Sequence, residues 1–151
     1  SLEQYAPSVP ADLTVFLMDI NGLKGVNDAL GHEAGDELIC GAARCITQAV
    51  GERGKTFRIG GDEFALIISA DMTESLCEQT KSRIIRPLLR PYEIDGKSLQ
   101  IGASCGYAVY PLETEDTGKI RILADQRMYA EKKENHRKAA ESQSKDPSPN
   151  D

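Results

Sequence analysis

The sequence predicts an α/β fold of the α+β sandwich kind, a mixed or mainly antiparallel sheet with helices packed on it. Three observations carry this. Apolar runs and helical stripes follow one another in the order β-α-α-β-β-α-β-β-α. The turn pairs Gly60-Gly61 and Asp95-Gly96 join neighbouring strands, which is a hairpin signal. No G-x-G-x-x-G follows the first strand and no Walker A sequence occurs, so a doubly wound nucleotide fold is disfavoured. The chain has 151 residues, 40% of them hydrophobic, which suits one domain with a packed interior.

Residues 1–12 are short, Pro-containing and weakly patterned, and read as a linker. Leu13 to Ile20 is an apolar run broken only by Thr14 and Asp19, and its Val, Phe and Ile content favours a buried strand. Asn21-Gly22 ends it. A short helix follows to Leu30, with Gly31 as its stop. Ala34 to Val50 is helical, with Leu38, Ala42, Cys45 and Ala49 in one stripe widened by Ile39 and Ile46. After a turn at Gly51–Lys55, the runs Thr56–Ile59 and Phe64–Ile68 flank the glycine pair. Thr73 to Leu89 reads as a helix through Leu76, Thr80, Ile84 and Leu88, with Pro91 beyond it. Tyr92–Ile94 and Leu99–Tyr110 read as strands. Thr117 to about Ala139 is a long helix with Ile120, Leu123, Ala124 and Met128 buried. The ordered domain spans 13–139, and 140–151 is expected to be a disordered tail, being rich in Ser, Pro, Asp and Asn.

The 18 basic and 24 acidic residues, net -6, argue against a nucleic-acid partner, whose phosphates need clustered Lys and Arg. A small phosphorylated ligand held by a few lysines remains compatible. Cys40, Cys45, Cys77 and Cys105 form no C-x-x-C pair, which makes zinc a poor fit, and all four are expected to be small core residues. With no signal peptide and no long apolar span, the domain is expected to be cytoplasmic without direct membrane contact. The chain lacks an initiator Met, so it reads as a piece of a larger protein, which is free to be membrane-anchored.

Gly60-Gly61-Asp62-Glu63-Phe64 is the most telling stretch. Bare glycine backbone admits a bulky ligand, and adjacent carboxylates call for a cation. Asp19 closes an otherwise apolar strand, where a charge needs solvent, a partner or a metal. If the first strand lies beside the hairpin, Asp19 and Asp62 converge. Side chains alternate along a strand, so Asp62 and Glu63 are expected to face opposite ways, with Asp62 beside Asp19 and Glu63 pointing elsewhere. The Ile20 carbonyl would complete a hard oxygen site of the Mg²⁺ or Mn²⁺ type. Asn21 to Lys24 places backbone N–H groups and a cation at a helix start, which suits phosphate. Lys132, one turn after Met128, is placed to reach the same site. Asp36 can accept both N1–H and N2–H of guanine, and Asn27 can satisfy a further edge atom. Taken singly, each of these residues is more often a cap, a turn residue or a solvated charge.

Together these pieces resemble the GGDEF domain, the diguanylate cyclase catalytic domain of bacteria. The likeness runs from about Leu13 to Arg137. It rests on Asp19-Ile20-Asn21-Gly22-Leu23-Lys24, Asn27-Asp28, Gly31-His32-Glu33-Ala34-Gly35-Asp36, Arg58 to Phe64, Ser104 to Ala108, and Ala124-Asp125 with Met128-Tyr129 and Lys132. The resemblance implies a palm like that of nucleotidyl cyclases and polymerases, a mainly antiparallel five-stranded sheet flanked by helices. It implies condensation of two GTP to cyclic di-GMP with release of pyrophosphate, in a homodimer whose two domains face each other. An upstream sensory or regulatory domain is expected in the parent protein. Asp19, Asp62 and the Ile20 carbonyl would hold the metal. Asp62, Glu63 and Lys24 would form the catalytic set. Asn27, His32 and Asp36 would surround guanine, Lys24 and Lys132 would meet the phosphates, and Gly60 and Gly61 would border the substrate.

Four departures from the family pattern stand out. Asn21 replaces the second Asp of Asp-x-Asp-x-Phe-Lys. His136, followed by Arg137, stands where an Arg is usual. Gly51 and Gly54 occupy the R-x-x-D positions of the inhibitory product site, so direct product inhibition there is not expected. An L-T-x-L-x-N-R helix is missing from residues 1–11. They keep open an alternative, a catalytically silent domain that binds GTP and regulates a neighbour.

Overall fold

A computed structural model describes residues 12–70, 72–94 and 96–145. Strand β1, Leu13–Asn21, is the middle of the sheet, and all of it but Asn21 is buried. Helices α1, Leu23–Leu30, and α2, His32–Val50, follow it; then come the hairpin β2, Gly54–Arg58, and β3, Glu63–Ile68. Helix α3, Glu74–Ile85, leads to β4, Arg90–Ile94, and β5, Lys97–Tyr110, and α4, Thr117–Lys145, closes the described chain. The five strands lie in the order β2-β3-β1-β5-β4, and every pairing is antiparallel.

The period of two explains why β1 reads as an unbroken apolar run. Phe16, Met18 and Ile20 face α1, α2 and α3, where Val26, Ile39, Ile46 and Ile84 meet them. Leu13, Val15 and Leu17 face α4 and pack on Ile120, Ala124 and Met128. Both faces are covered, so neither can be polar. Asp19 is the next position on the α4 face. Helix α4 comes unusually close there, because a Cβ on Gly106 of β5 would stand 2.2 Å from Met128 N and 2.3 Å from Ala124 O.

Several boundaries differ from expectation. Strand β2 begins at Gly54, inside the predicted turn; a Cβ there would stand 2.4 Å from the Ile67 carbonyl oxygen. Helix α3 gives way to a single tighter turn, Arg86–Leu88, because Pro87 cannot continue the helical hydrogen-bond ladder. At its start, Leu76 N donates to Thr73 Oγ1 at 3.1 Å. Pro91 lies inside β4. Helix α4 runs on to Lys145, into the stretch expected to be a tail, and there Arg137 pairs with Glu134 and Glu141. Residues 1–11 and 146–151, and Asp95 of the second turn, lie outside the described residues, while Gly96 takes φ 77 between the paired Ile94 and Lys97.

The cysteines also differ. Cys77 and Cys105 are buried, but Cys45 is half-buried and Cys40 is exposed. The buried line of α2 runs through Ile39, Ala42, Ile46 and Val50; the first three belong to the predicted stripe, and Cys40 lies off it on the outer side. Among the described residues no helix is long and apolar enough to cross a membrane.

Candidate active site

Asp19 lies directly across from Glu63 of β3 and Ser104 of β5. Residues opposed in an antiparallel pair share a face, so Glu63 stands beside Asp19. This corrects the expectation that Glu63 points elsewhere. Asp62 precedes β3 and lies in the bend, where strand alternation does not yet apply. Its carbonyl accepts from Ile20 N at 2.9 Å, and its carboxyl comes within hydrogen-bonding reach of Asp19. Both carboxylates of the hairpin therefore join Asp19. The bend is held by Arg58, whose guanidinium donates to Gly60 O at 3.2 Å and Gly61 O at 2.7 Å.

Lys132 reaches this cluster from α4, with Nζ 2.5 Å from Asp19 Oδ2. The Asp19 side chain is 4% exposed, and its Oδ1 is buried with no hydrogen-bond partner. Burial, then the neighbouring Asp19, pushes the Asp62 carboxyl above its ordinary range. Burial, followed by Asp19, Asp125 and Asp62, does the same to Glu63, and Lys132 pulls both back. The hydrogen bond to Asp19 raises Lys132.

Beside the carboxylates lies a neutral polar layer. Ser104 Oγ accepts from Asn21 Nδ2 at 3.0 Å and from Asn135 Nδ2 at 3.2 Å, and Asn21 Oδ1 is left buried and unpartnered. Sequence reasoning missed Asn135, since a lone amide inside a helix carries no signal. Ser104 opens the Ser104–Ala108 motif, and its position opposite Asp19 emerges only from the register.

The donor set fits a hard divalent cation: a buried carboxylate oxygen lacking a partner and two mutually repelling carboxylates beside it. Among the described residues no three Asp, Glu, His or Cys side chains already enclose an ion position. An ion here would draw further ligands from backbone, water or substrate.

The nucleotide-binding candidates lie at the same end of β1, around α1 and α2. Gly22 takes φ 92 and turns the chain into α1, whose first turn carries the exposed Lys24. Asn27 is half-buried; its carboxamide lies over Gly35, where a Cβ would stand 1.8 Å from Asn27 Oδ1. His32 and Asp36 are exposed near the start of α2. Asp36 lines an open groove of about 660 Å³ with Val26, Ala34, Leu38, Cys40 and Arg44. One expected phosphate contact is engaged otherwise, since Lys132 holds Asp19; Arg137, next to His136, lies along its own helix against Glu134 and Glu141.

The raised carboxyls make a pH prediction. A carboxyl raised on folding binds more protons folded than unfolded, so its contribution to stability falls as pH rises from the ordinary 3.8 of Asp62 through its raised folded pKa. Asp62→Asn removes that dependence. Without divalent cation, wild type is expected to lose thermal stability relative to Asp62→Asn as pH climbs from about 4. A difference that stays flat across this range rules out the crowded-carboxylate reading.

Residues 2–138 match the family model described as "Diguanylate cyclase, GGDEF domain". The chain is 34% identical over 132 residues to the signaling protein YkoW of Bacillus subtilis, covering 87% of this chain and 16% of that protein. It is 37% identical over 127 residues to the probable diguanylate cyclase DgcF of Escherichia coli K12, covering 81% of this chain and 40% of that one. It therefore spans well under half of these relatives. Among solved structures it resembles a sensory box/GGDEF family protein from Caulobacter crescentus, with TM-score 0.72, 30% identity, and 88% and 85% of the two chains covered. It also resembles the GGDEF domain of DgcB from the same organism, in complex with c-di-GMP, with TM-score 0.74, 26% identity, and 87% and 78% covered.

Proposed function

Since the chain belongs to the GGDEF family of diguanylate cyclase domains, we propose that it condenses two GTP to cyclic di-GMP and releases pyrophosphate. The observation that carries this reading is the unpartnered, buried Asp19 Oδ1 amid the Asp62 and Glu63 carboxylates, next to a helix start with free backbone N–H groups. Asp19, Asp62 and the Ile20 carbonyl would hold Mg²⁺ or Mn²⁺. Such an ion supplies Lewis acidity that lowers the pKa of a 3′-hydroxyl and offsets charge on the leaving pyrophosphate. Glu63, or Asp62 beside it, would accept the hydroxyl proton; burial pushes both carboxyls above their ordinary range. Backbone N–H groups after Gly22, with the Lys24 ammonium, hold the triphosphate. Asp36 accepts from guanine N1–H and N2–H, and Asn27 meets a further edge atom. One domain binds one nucleotide, so the reaction needs a second copy facing the first, and an upstream domain would control that encounter. Feedback by product at the 51–54 turn is not expected, since a side chain at 54 would run into the Ile67 carbonyl.

The test is incubation of the domain, fused to a dimerising coiled coil, with GTP and Mg²⁺, followed by chromatography. Cyclic di-GMP is the expected product. GTP bound but not converted favours the rival reading, a regulatory GTP-binding domain, for which the turned-away Arg137 speaks. ATP used as readily as GTP sinks the guanine assignment.

Lys132 provides a sharper check. Its ammonium neutralises Asp19 in the empty site and would move to the triphosphate when nucleotide and cation arrive. Lys132→Met should therefore tighten Mn²⁺ binding in the absence of nucleotide, by about 3- to 10-fold, and weaken GTP binding by about 10-fold. Electron paramagnetic resonance and calorimetry read the two effects separately. Equal losses in both would leave Lys132 a merely structural residue.

A further inference from the structure

The groove beside Asp36 has one basic lining residue, Arg44. Arg44 is exposed and forms no ion pair or hydrogen bond among the described residues. Its guanidinium folds back along α2 over Gly41: a Cβ on Gly41 would stand 3.9 Å from Arg44 Nη2. Asp36 and Arg44 are eight residues apart in one helix, about 12 Å along its axis. The backward fold over Gly41 brings the Arg44 guanidinium closer to Asp36 than the backbone rise alone would.

Guanine has donors, N1–H and N2–H, on one edge and acceptors, O6 and N7, on the adjoining one. Asp36 can only accept, so it complements the donor edge and leaves O6 and N7 in need of donors. A guanidinium fork matches that pair. Adenine keeps N7 but carries an amino donor at position 6, which would face the guanidinium unfavourably.

We propose that Arg44 is a specificity residue that donates to guanine N7 and O6, farther along the same helical wall of the groove than Asp36. This rests on the guanine-binding reading above. The two fail separately in one experiment: calorimetric binding of GTP, 7-deaza-GTP and ATP to wild type, Arg44→Met and Arg44→Lys, without divalent cation so that nothing turns over. Wild type is expected to bind 7-deaza-GTP about tenfold more weakly than GTP. Arg44→Met should bind both alike, near the weaker level, and Arg44→Lys should recover only part of the preference, since an ammonium lacks the fork. If wild type binds GTP over ATP but Arg44→Met keeps the preference for GTP over its 7-deaza form, Arg44 has no such role and the guanine reading survives. If wild type binds GTP no better than ATP, the guanine reading falls and takes this inference with it. Cys40, exposed between the two residues, reports the placement independently. Saturating GTP should slow its alkylation by iodoacetamide, followed by peptide mass, at least fivefold. An unchanged rate puts the base outside the groove and overturns the proposal.

Discussion

Asp19→Asn is expected to lower cyclic di-GMP formation by about a thousandfold or more, some 4 kcal/mol of transition-state stabilisation, and to abolish tight Mn²⁺ binding. The substitution keeps the shape of the side chain and removes only its charge. The stability cost should be small, because two effects oppose each other. The ion pair with Lys132 is lost, while repulsion from Asp62 and Glu63 is relieved. We expect a net change within about 1 kcal/mol by denaturant titration. Asp62→Ala should show the same loss of turnover. Retained Mn²⁺ affinity in either variant would remove that carboxylate from the cation site.

The second large effect lies away from the chemistry. Gly106→Val should destabilise the domain by about 3 kcal/mol or more, toward the severe end of overpacking substitutions. The atoms in its way are Met128 N and Ala124 O, helix backbone that no rotamer change can clear. To make room, α4 must lift, and lifting separates Ile120, Ala124 and Met128 from Leu13, Val15 and Leu17. Lys132 rides on the same helix, one turn beyond Met128, so its contact with Asp19 goes too. Any folded Gly106→Val should therefore also show weakened GTP binding. Equilibrium unfolding that shifts by less than about 1 kcal/mol would mean that α4 is not seated by this glycine.

Much of the fold was legible because its strands and helices carry strong periods. The two-sided burial of β1 shows as a continuous apolar run, and the hairpins show as turn pairs. Boundaries were less legible where a single residue decides them, as Pro87 does for α3 and Gly54 for β2. The predicted stripe of α2 held at Ile39, Ala42 and Ile46, while Leu38, Cys45 and Ala49 sit half-buried at its edge. Cys40, read as core from its apolar neighbours in sequence, lies off that stripe and is exposed.

In the candidate site, residue types, their order and the convergence of Asp62 and Lys132 on the Asp19 site were readable, and the side that Glu63 takes was not. Asp19, Asp62, Glu63, Lys24, Asn27, Asp36 and Lys132 each also read singly as a cap, a turn residue or a solvated charge, and only their order in the motifs made them candidates. Alternation then misplaced Glu63, since it treated Asp62 as already part of a strand, and the bend breaks that rule.

By itself, then, the sequence determined the element order, the two apolar faces of β1 and the inventory of carboxylates, amides and lysines that make up the candidate site. Those depend on local periodicity and on chemistry intrinsic to each side chain. Only the tertiary structure decided which groups meet: the Asp19–Glu63 register, the neutral layer of Asn21, Ser104 and Asn135, and the placement of Lys132 on Asp19. Lys132 is 113 positions from Asp19, and nothing local encodes that pairing. It follows from how closely α4 settles onto Gly106, a distance set by packing of two elements on each other.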